Sequence, residues 1–482
     1  MALETILSGN WIDIGLIGSL TLIVIVYFRE KWDNLFAEKP KTPPTHKGWI
    51  PWLGLALEFG KGPLHFIDRK RKELGSVFSI KVAGEYMTFL TDPKDFQHFF
   101  LSPCLDFQKA VQGPVQNVAS ITKESFFKYH SSIHDLVKGK LAPSNLSPLM
   151  SHKLYKEFEE QLGKLPSHGK MDLNRLIRTI MYKSVLNIVF GKNILPTDND
   201  EQYQILEEHF TKFDRQIEYG SKLPAFVLGA WSKSRKYLIT MFQNIVDPEK
   251  QKSQELCPDD KTLLHNLLEC VDIENAPNYS VLLLWATLAN SIPMVFWTIA
   301  FIVTQESVYK KVCEEIEREL PSTFETISDA DLRKLPYLKS CILETVRLRS
   351  PGIIPRYVTK PFEVKGYTVP AGNLVFASPF WAHRNPEYYP DPETHKPERW
   401  NMKDVERNIF PEYFFAFGGG RFQCPGRWFG LMEIQIFAIM FLKQFKCEAF
   451  DPVPPPSPLH AVGTQQPEGP CMIEFTRLPG KC

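Results

Sequence analysis

FAFGGGRFQCPGRWF, residues 415–429, is the stretch that decides the fold. Three glycines, Gly418 to Gly420, precede Cys424, and Gly426 follows it. After Pro425 an apolar run from Arg427 to Gln444 reads as a long helix. Glycines before a cysteine let the backbone approach something flat and close. A helix amino terminus beside the sulfur supplies N–H donors and a positive dipole, which favour thiolate over thiol. A thiolate in an apolar, glycine-lined loop is what an iron porphyrin needs as an axial ligand. The alternative is a structural thiol buried in a tight turn, the common fate of a single cysteine.

The rest of the chain frames that loop. Its nine cysteines are odd in number, scattered, and never two or three residues apart, against both a disulfide scaffold and a zinc ribbon. The 482 residues suggest about three domains by length alone. A composition of 44% hydrophobic and 23% charged residues is that of a globular protein with a large core. A net charge of +1 offers nothing to a polyanion, so no nucleic-acid partner is expected. The 38 prolines, about 8% against a usual ~5%, point to many helix starts and corners.

WIDIGLIGSLTLIVIVYF, residues 11–28, is long enough to cross a bilayer, at about 27 Å for a ~30 Å core. No Lys or Arg precedes it, and five follow by residue 47, which predicts a cytosolic body behind a single amino-terminal transmembrane helix. The expected organisation is an anchor over 1–31, a stiff proline-rich linker over 32–50 and one catalytic domain over 51–482. A second apolar run, 281–303, carries Asn290, Ser291 and Pro293 at its centre. It reads as a helix through a large core, continuing unbroken into a charged helix over 305–320. Further helices are expected over 171–190 and 334–349, and short strands over 77–82, 86–90, 361–369 and 374–377. The class is mainly α with a small, mostly antiparallel β portion.

Phe417-x-x-Gly420-x-x-x-Cys424-x-Gly426 resembles the haem-thiolate signature of the cytochrome P-450 monooxygenases. Glu344-x-x-Arg347 and the PERW run ending Arg399-Trp400 stand in that family's order. Glu315 and Arg318 also match the first of these by spacing, as any helical ion pair can. The resemblance extends from the anchor to the carboxyl terminus. It is similar in detail to the branch of sterol hydroxylases and prostacyclin synthases, oxysterol 7α-hydroxylases among them, through LWATLANSIP (284–293), SPFWAHRNPEYYP (378–390) and VGTQQPEG (462–469).

That resemblance implies a cytochrome P-450 fold and Cys424 as the iron ligand of haem b, with Phe417, Gly420 and Gly426 shaping the loop. It implies a charge network of Glu344, Arg347 and Arg399, and a sterol pocket including Trp285, Leu288 and Ala289. It also implies dioxygen as co-substrate and electrons from NADPH through cytochrome P-450 reductase, on the endoplasmic reticulum membrane. The expected reaction is 7α-hydroxylation of an oxysterol such as 24-hydroxycholesterol, in cholesterol degradation and bile acid synthesis. The rivals are a prostacyclin-synthase-like peroxide isomerase and hydroxylation at another sterol position. The chain departs from the family pattern where an acid–alcohol pair is usual in the central helix. Pro293 frees the Ala289 carbonyl there, and Asn290 is expected to take part in proton delivery. Phe422 replaces the usual basic residue, so Arg356, His130 and His134 are the expected haem-propionate partners. Lys443, Lys446, Arg421 and Arg427 are candidates for a basic surface facing the reductase.

Overall fold

The computed structural model describes residues 40–50, 52–146, 149–246, 261–321 and 325–479. The apolar run at 11–28 and the first part of the linker lie outside the described residues. Two compact units are distinguished. Among the described residues the smaller joins 40–42 to Glu363–Thr368 and contains a hydrogen bond from Thr368 N to Lys41 O of 2.8 Å. The larger, 43–362 with 369–482, carries the six-stranded and three-stranded sheets, the helices and the site.

The larger unit's main sheet has six strands in the order β1-β2-β3-β9-β6-β4. These are β1 (Thr45–His46), β2 (Val77–Val82), β3 (Glu85–Leu90), β4 (Leu105–Asp106), β6 (Ile354–Val358) and β9 (Leu374–Ala377). The expectation of a mostly antiparallel sheet holds for three of its pairings, but β1–β2 and β3–β9 are parallel. The chain returns to β9 from far along the sequence, and such returns can enter a sheet in either direction. Because β1 pairs with β2, residues assigned to the linker already belong to this sheet. β5 (His168–Asp172) completes a three-stranded antiparallel sheet with β10 (Phe445–Ala449) and β11 (Met472–Arg477). The single strand expected over 361–369 is two, β7 (Phe362–Val364) and β8 (Tyr367–Val369). Lys365 and Gly366, with φ of 48° and 72°, make the two-residue turn that divides them.

Helices bury the rest. The central helix, Ala276–Val303, packs against Arg427–Gln444, Pro336–Arg349 and Leu173–Phe190. It is long and apolar enough to span a membrane, yet the most apolar part is 72% buried in the protein, as expected of a core helix. Its hydroxyls bond back one turn: Ser280 to Ala276 O, Thr287 to Leu283 O, Ser291 to Thr287 O and Thr298 to Met294 O. Such bonds satisfy hydroxyls inside a core without breaking the helix. The expected unbroken continuation past residue 303 is not found. Gln305 is extended, with φ −118° and ψ 96°, and a separate helix runs Glu306–Glu319.

Candidate functional site

The loop before the Arg427 helix is closed by Cys424 N donating to Phe417 O at 2.9 Å. Gly418 and Gly420 have φ of 72° and 68°, the left-handed region that glycine enters freely. What approaches the glycines is Phe100. A Cβ on Gly419 would lie 2.7 Å from its ring, and one on Gly420 2.8 Å from its carbonyl oxygen. Gly426 is under no such demand: its φ is −89°, and an added Cβ would only touch Leu141 at 3.8 Å.

The Cys424 side chain is accessible, yet burial is the largest influence on its thiol and pushes it up. The N–H groups of Gly426 and Arg427 and the Arg427 charge pull it down. The helix terminus partly offsets the cost of the thiolate, and a cation at the sulfur would supply the remainder.

Behind the loop lies the charge network. Glu344 is fully buried and accepts five hydrogen bonds. Oε1 receives Arg347 Nη2 at 2.8 Å, Arg399 Nε at 2.8 Å and Lys396 N at 3.0 Å. Oε2 receives Arg347 Nε at 2.9 Å and Trp400 Nε1 at 3.1 Å. Arg347 also donates to the carbonyls of His383, Pro392 and Thr394. Burial alone would raise the Glu344 carboxyl, but Arg347, Arg399 and the Lys396 N–H outweigh it and hold it low. The look-alike pair Glu315 and Arg318 behaves differently. Glu315 is buried and accepts from Tyr337 N (2.8 Å) and Leu338 N (2.9 Å) at the start of the Glu344 helix, while Arg318 pairs with Glu319. Glu315 therefore caps the neighbouring helix instead of forming a surface ion pair.

His130 and His134 flank Phe422, with ring centroids 5.6 and 5.5 Å away. His134 Nε2 lies 3.3 Å from the carbonyl oxygen of Gln423 and so tethers the residue before Cys424. Burial, aided by His134, lowers His130 to about 4, so it is neutral, with Nδ1 3.1 Å from Gln108 Nε2. Arg356, on β6, is a buried cation whose guanidinium is surrounded by the rings of Phe99, Phe100 and Phe107 at 4.8–5.8 Å. Burial lowers it to about 10, and Asp106 acts on it only through space. Its side chain donates to Pro355 O at 3.0 Å. Of the basic candidates, Lys443 is withdrawn: it is buried and donates to the carbonyl of Pro321. Lys446 and Arg421 are exposed.

The central helix presents an open face although its surroundings are core. Ala286 is exposed, and Trp285 and Asn290 are partly accessible, whereas Leu288 and Ala289 are buried. Leu288 therefore lies in the packed core. The Ala289 carbonyl that Pro293 releases lies 3.4 Å from Gln466 Nε2. Asn290 Oδ1 accepts from Thr464 N at 3.1 Å, which ties the helix to the carboxyl-terminal segment. Two acids here escaped the sequence reading. Asp214 accepts from Trp285 Nε1 at 2.9 Å and Gln466 Nε2 at 3.3 Å, and burial raises it to about 6. Glu433, wholly buried, accepts from Ser291 Oγ at 3.3 Å, and burial raises it to about 8. Its signal was in view: one acid inside LMEIQIFAIMFL (431–442).

A porphyrin with acidic side arms fits these residues. An enclosed, accessible thiol stands at a helix terminus, and a buried guanidinium lacks a hydrogen-bonded carboxylate among the described residues. The chain is 41% identical over 465 residues to human 24-hydroxycholesterol 7-alpha-hydroxylase, covering 95% of this chain and 98% of that protein. The mouse enzyme of the same name is 42% identical over 90% of this chain and 93% of its own. A rabbit 7-alpha-hydroxycholest-4-en-3-one 12-alpha-hydroxylase is 27% identical, covering 96% and 99%. Among solved structures, retinoic acid bound cyanobacterial CYP120A1 matches with a TM-score of 0.74 and 18% identity, over 92% of this chain and 100% of that one, which shows the shared fold. The cytochrome P-450 family profile matches residues 43–475, and this chain belongs to the cytochrome P-450 family.

Proposed function

We propose that this chain is a haem-thiolate monooxygenase that hydroxylates an oxysterol at the 7α position, with 24-hydroxycholesterol as the reference substrate. The observation that carries the chemistry is Cys424, enclosed yet accessible at a helix amino terminus. Similarity over nearly full length to enzymes named for 24-hydroxycholesterol supports the substrate. When bound, the haem supplies the one-electron and dioxygen chemistry that inserts oxygen into a C–H bond. The chain's own residues prepare the place. Cys424 would hold the haem iron through its thiolate, which the N–H groups of Gly426 and Arg427 stabilise. Glu344, Arg347 and Arg399 fix the segments around the loop, Phe417 and Gly420 shape it, and His134 tethers it. Arg356 and neutral His130 would hold the propionates. Asn290 has Oδ1 occupied by Thr464 and retains its Nδ2–H groups as donors for proton delivery.

The apolar run at 11–28 supports a single membrane anchor in the endoplasmic reticulum, with the body cytosolic. Exposed Trp49, Trp52, Leu57, Phe226 and Val227 support a lipid-facing patch. Their segments are joined by Tyr219 Oη donating to Gly60 O at 2.8 Å and by the Lys222–Glu85 ion pair at 2.8 Å. NADPH–cytochrome reductase is the electron donor, approaching Arg421 and Lys446. The test is the absorption spectrum of the reduced, carbon-monoxide-treated full-length protein, recorded with a panel of oxysterols. A thiolate-type band that responds to oxysterol is expected; a histidine-type band overturns the assignment of Cys424. Turnover of a peroxide without NADPH or reductase would instead favour an isomerase.

A further inference from the structure

We propose that Asp214 and Gln466 together recognise a hydroxyl group of the sterol, an inference that rests on the sterol reading above. Asp214 stands at the next-to-last position of the helix Asp200–Arg215. No cation lies within hydrogen-bond distance of it among the described residues. Its partners are the neutral indole of Trp285 at 2.9 Å and the neutral amide of Gln466 at 3.3 Å. The charge of Arg178 reaches it only through space. An ionised carboxylate has about four acceptor sites, so two bonds leave room for another donor. The Gln466 amide nitrogen is divided between Asp214 Oδ2 at 3.3 Å and Ala289 O at 3.4 Å. Both contacts are at the long end of the hydrogen-bond range, so one hydrogen can turn to a ligand at little cost.

The position suits a substrate. Trp285 adjoins exposed Ala286 on the open face of the central helix. It lies five residues before Asn290, about 7.5 Å along the helix axis. The chemistry selects an alcohol. A hydroxyl donates to Asp214 and accepts from Gln466 at once; a ketone can only accept, and leaves Asp214 without its donor. A carboxylate is repelled by ionised Asp214. The bland rival is that Asp214 merely pins the carboxyl-terminal segment to the central helix.

The experiment is equilibrium binding to the haem-loaded, full-length protein, followed by tryptophan fluorescence and the haem absorption shift. Three probes are compared: 24-hydroxycholesterol, its 24-keto analogue and its 3-keto analogue. One keto analogue should bind about 10- to 100-fold more weakly than the diol, the cost of a lost charge-assisted hydrogen bond, and which one does so identifies the hydroxyl. Asp214→Asn and Gln466→Leu should lower affinity for the diol toward that of the weaker analogue, while affinity for the analogue changes less than threefold. The inference is overturned if all three probes bind wild type equally, or if the variants weaken all probes alike, as a structural role requires. If a variant fails to fold, the wild-type comparison still decides. Failure of every sterol to bind refutes the sterol reading itself and is distinct from equal binding of all three.

Discussion

Replacing Glu344 by Gln removes one charge from the most crowded carboxylate among the described residues. The amide keeps the volume but faces Arg347 and Arg399 without the negative charge they share. Its NH2 group also confronts N–H donors at 2.8–3.1 Å. Glu344 and Arg347 are fully buried, so water cannot replace the lost partner. Removing one member of such a pair costs about 3–5 kcal/mol, because a buried charge is left uncompensated. Unfolding entropy near ~2.1 cal/mol/K per residue over about 430 residues gives about 0.9 kcal/mol/K, so Tm should fall by roughly 3–6 °C. The assay is calorimetric melting of haem-loaded protein, with Arg318→Ala as control. Arg318 is largely exposed and paired to Glu319, so its loss should leave the melting temperature almost unchanged. The sign with pH follows from the depressed Glu344 carboxyl. Its contribution is present above the ordinary carboxylate value of 4.5 and is lost as pH falls through the lower folded value, so the two proteins should converge in acid. Wild-type and Glu344→Gln proteins melting within 1 °C of each other at neutral pH would refute the reasoning.

Arg356→Leu removes a buried cation held among three aromatic rings. If the guanidinium serves an anionic side arm of the cofactor, haem transfer to a scavenger protein should speed up about tenfold or more, by the worth of a charged hydrogen bond; an unchanged rate contradicts that role. Glu433 is raised to about 8 by burial, against the Ser291 hydrogen bond. Its neutral form contributes stability in full below about 4.5 and loses it as pH rises through about 8, so denaturant midpoints of wild type and Glu433→Gln should diverge between pH about 4.5 and about 8 and stay apart above that. Parallel pH profiles would count against a buried neutral acid. Asn290→Ala should lower product formed per NADPH consumed. Gly463→Ala should do the same, because its Cβ would lie 2.7 Å from Asn290 Oδ1; unchanged coupling in both variants removes Asn290 from proton delivery.

The local chemistry around Cys424 was legible because it is contiguous in sequence: glycines, cysteine and helix start lie within a dozen residues. The strands at 77–82 and 374–377 and the helix at 427–444 also follow from local patterns. What the pattern misses is long-range. Asp214 and Gln466 are 252 positions apart, and nothing local to either announces the other. The parallel pairing of β3 with β9 is likewise a property of chain return. Glu315 shows the limit of spacing arguments: its helix offers Arg318 as a partner, but the unsatisfied N–H groups of the next helix take the carboxylate instead. The glycines before Cys424 suggest room for a flat ligand, yet at 419 and 420 the close neighbour is Phe100.

The most direct measurement of the central claim is turnover of 24-hydroxycholesterol by the full-length protein with NADPH–cytochrome reductase under heavy-isotope dioxygen. The expected sterol product gains one labelled oxygen at carbon 7, requires NADPH and the reductase, and is abolished in Cys424→Ala. A product that forms without NADPH, that carries no label, or that persists in Cys424→Ala would contradict the claim.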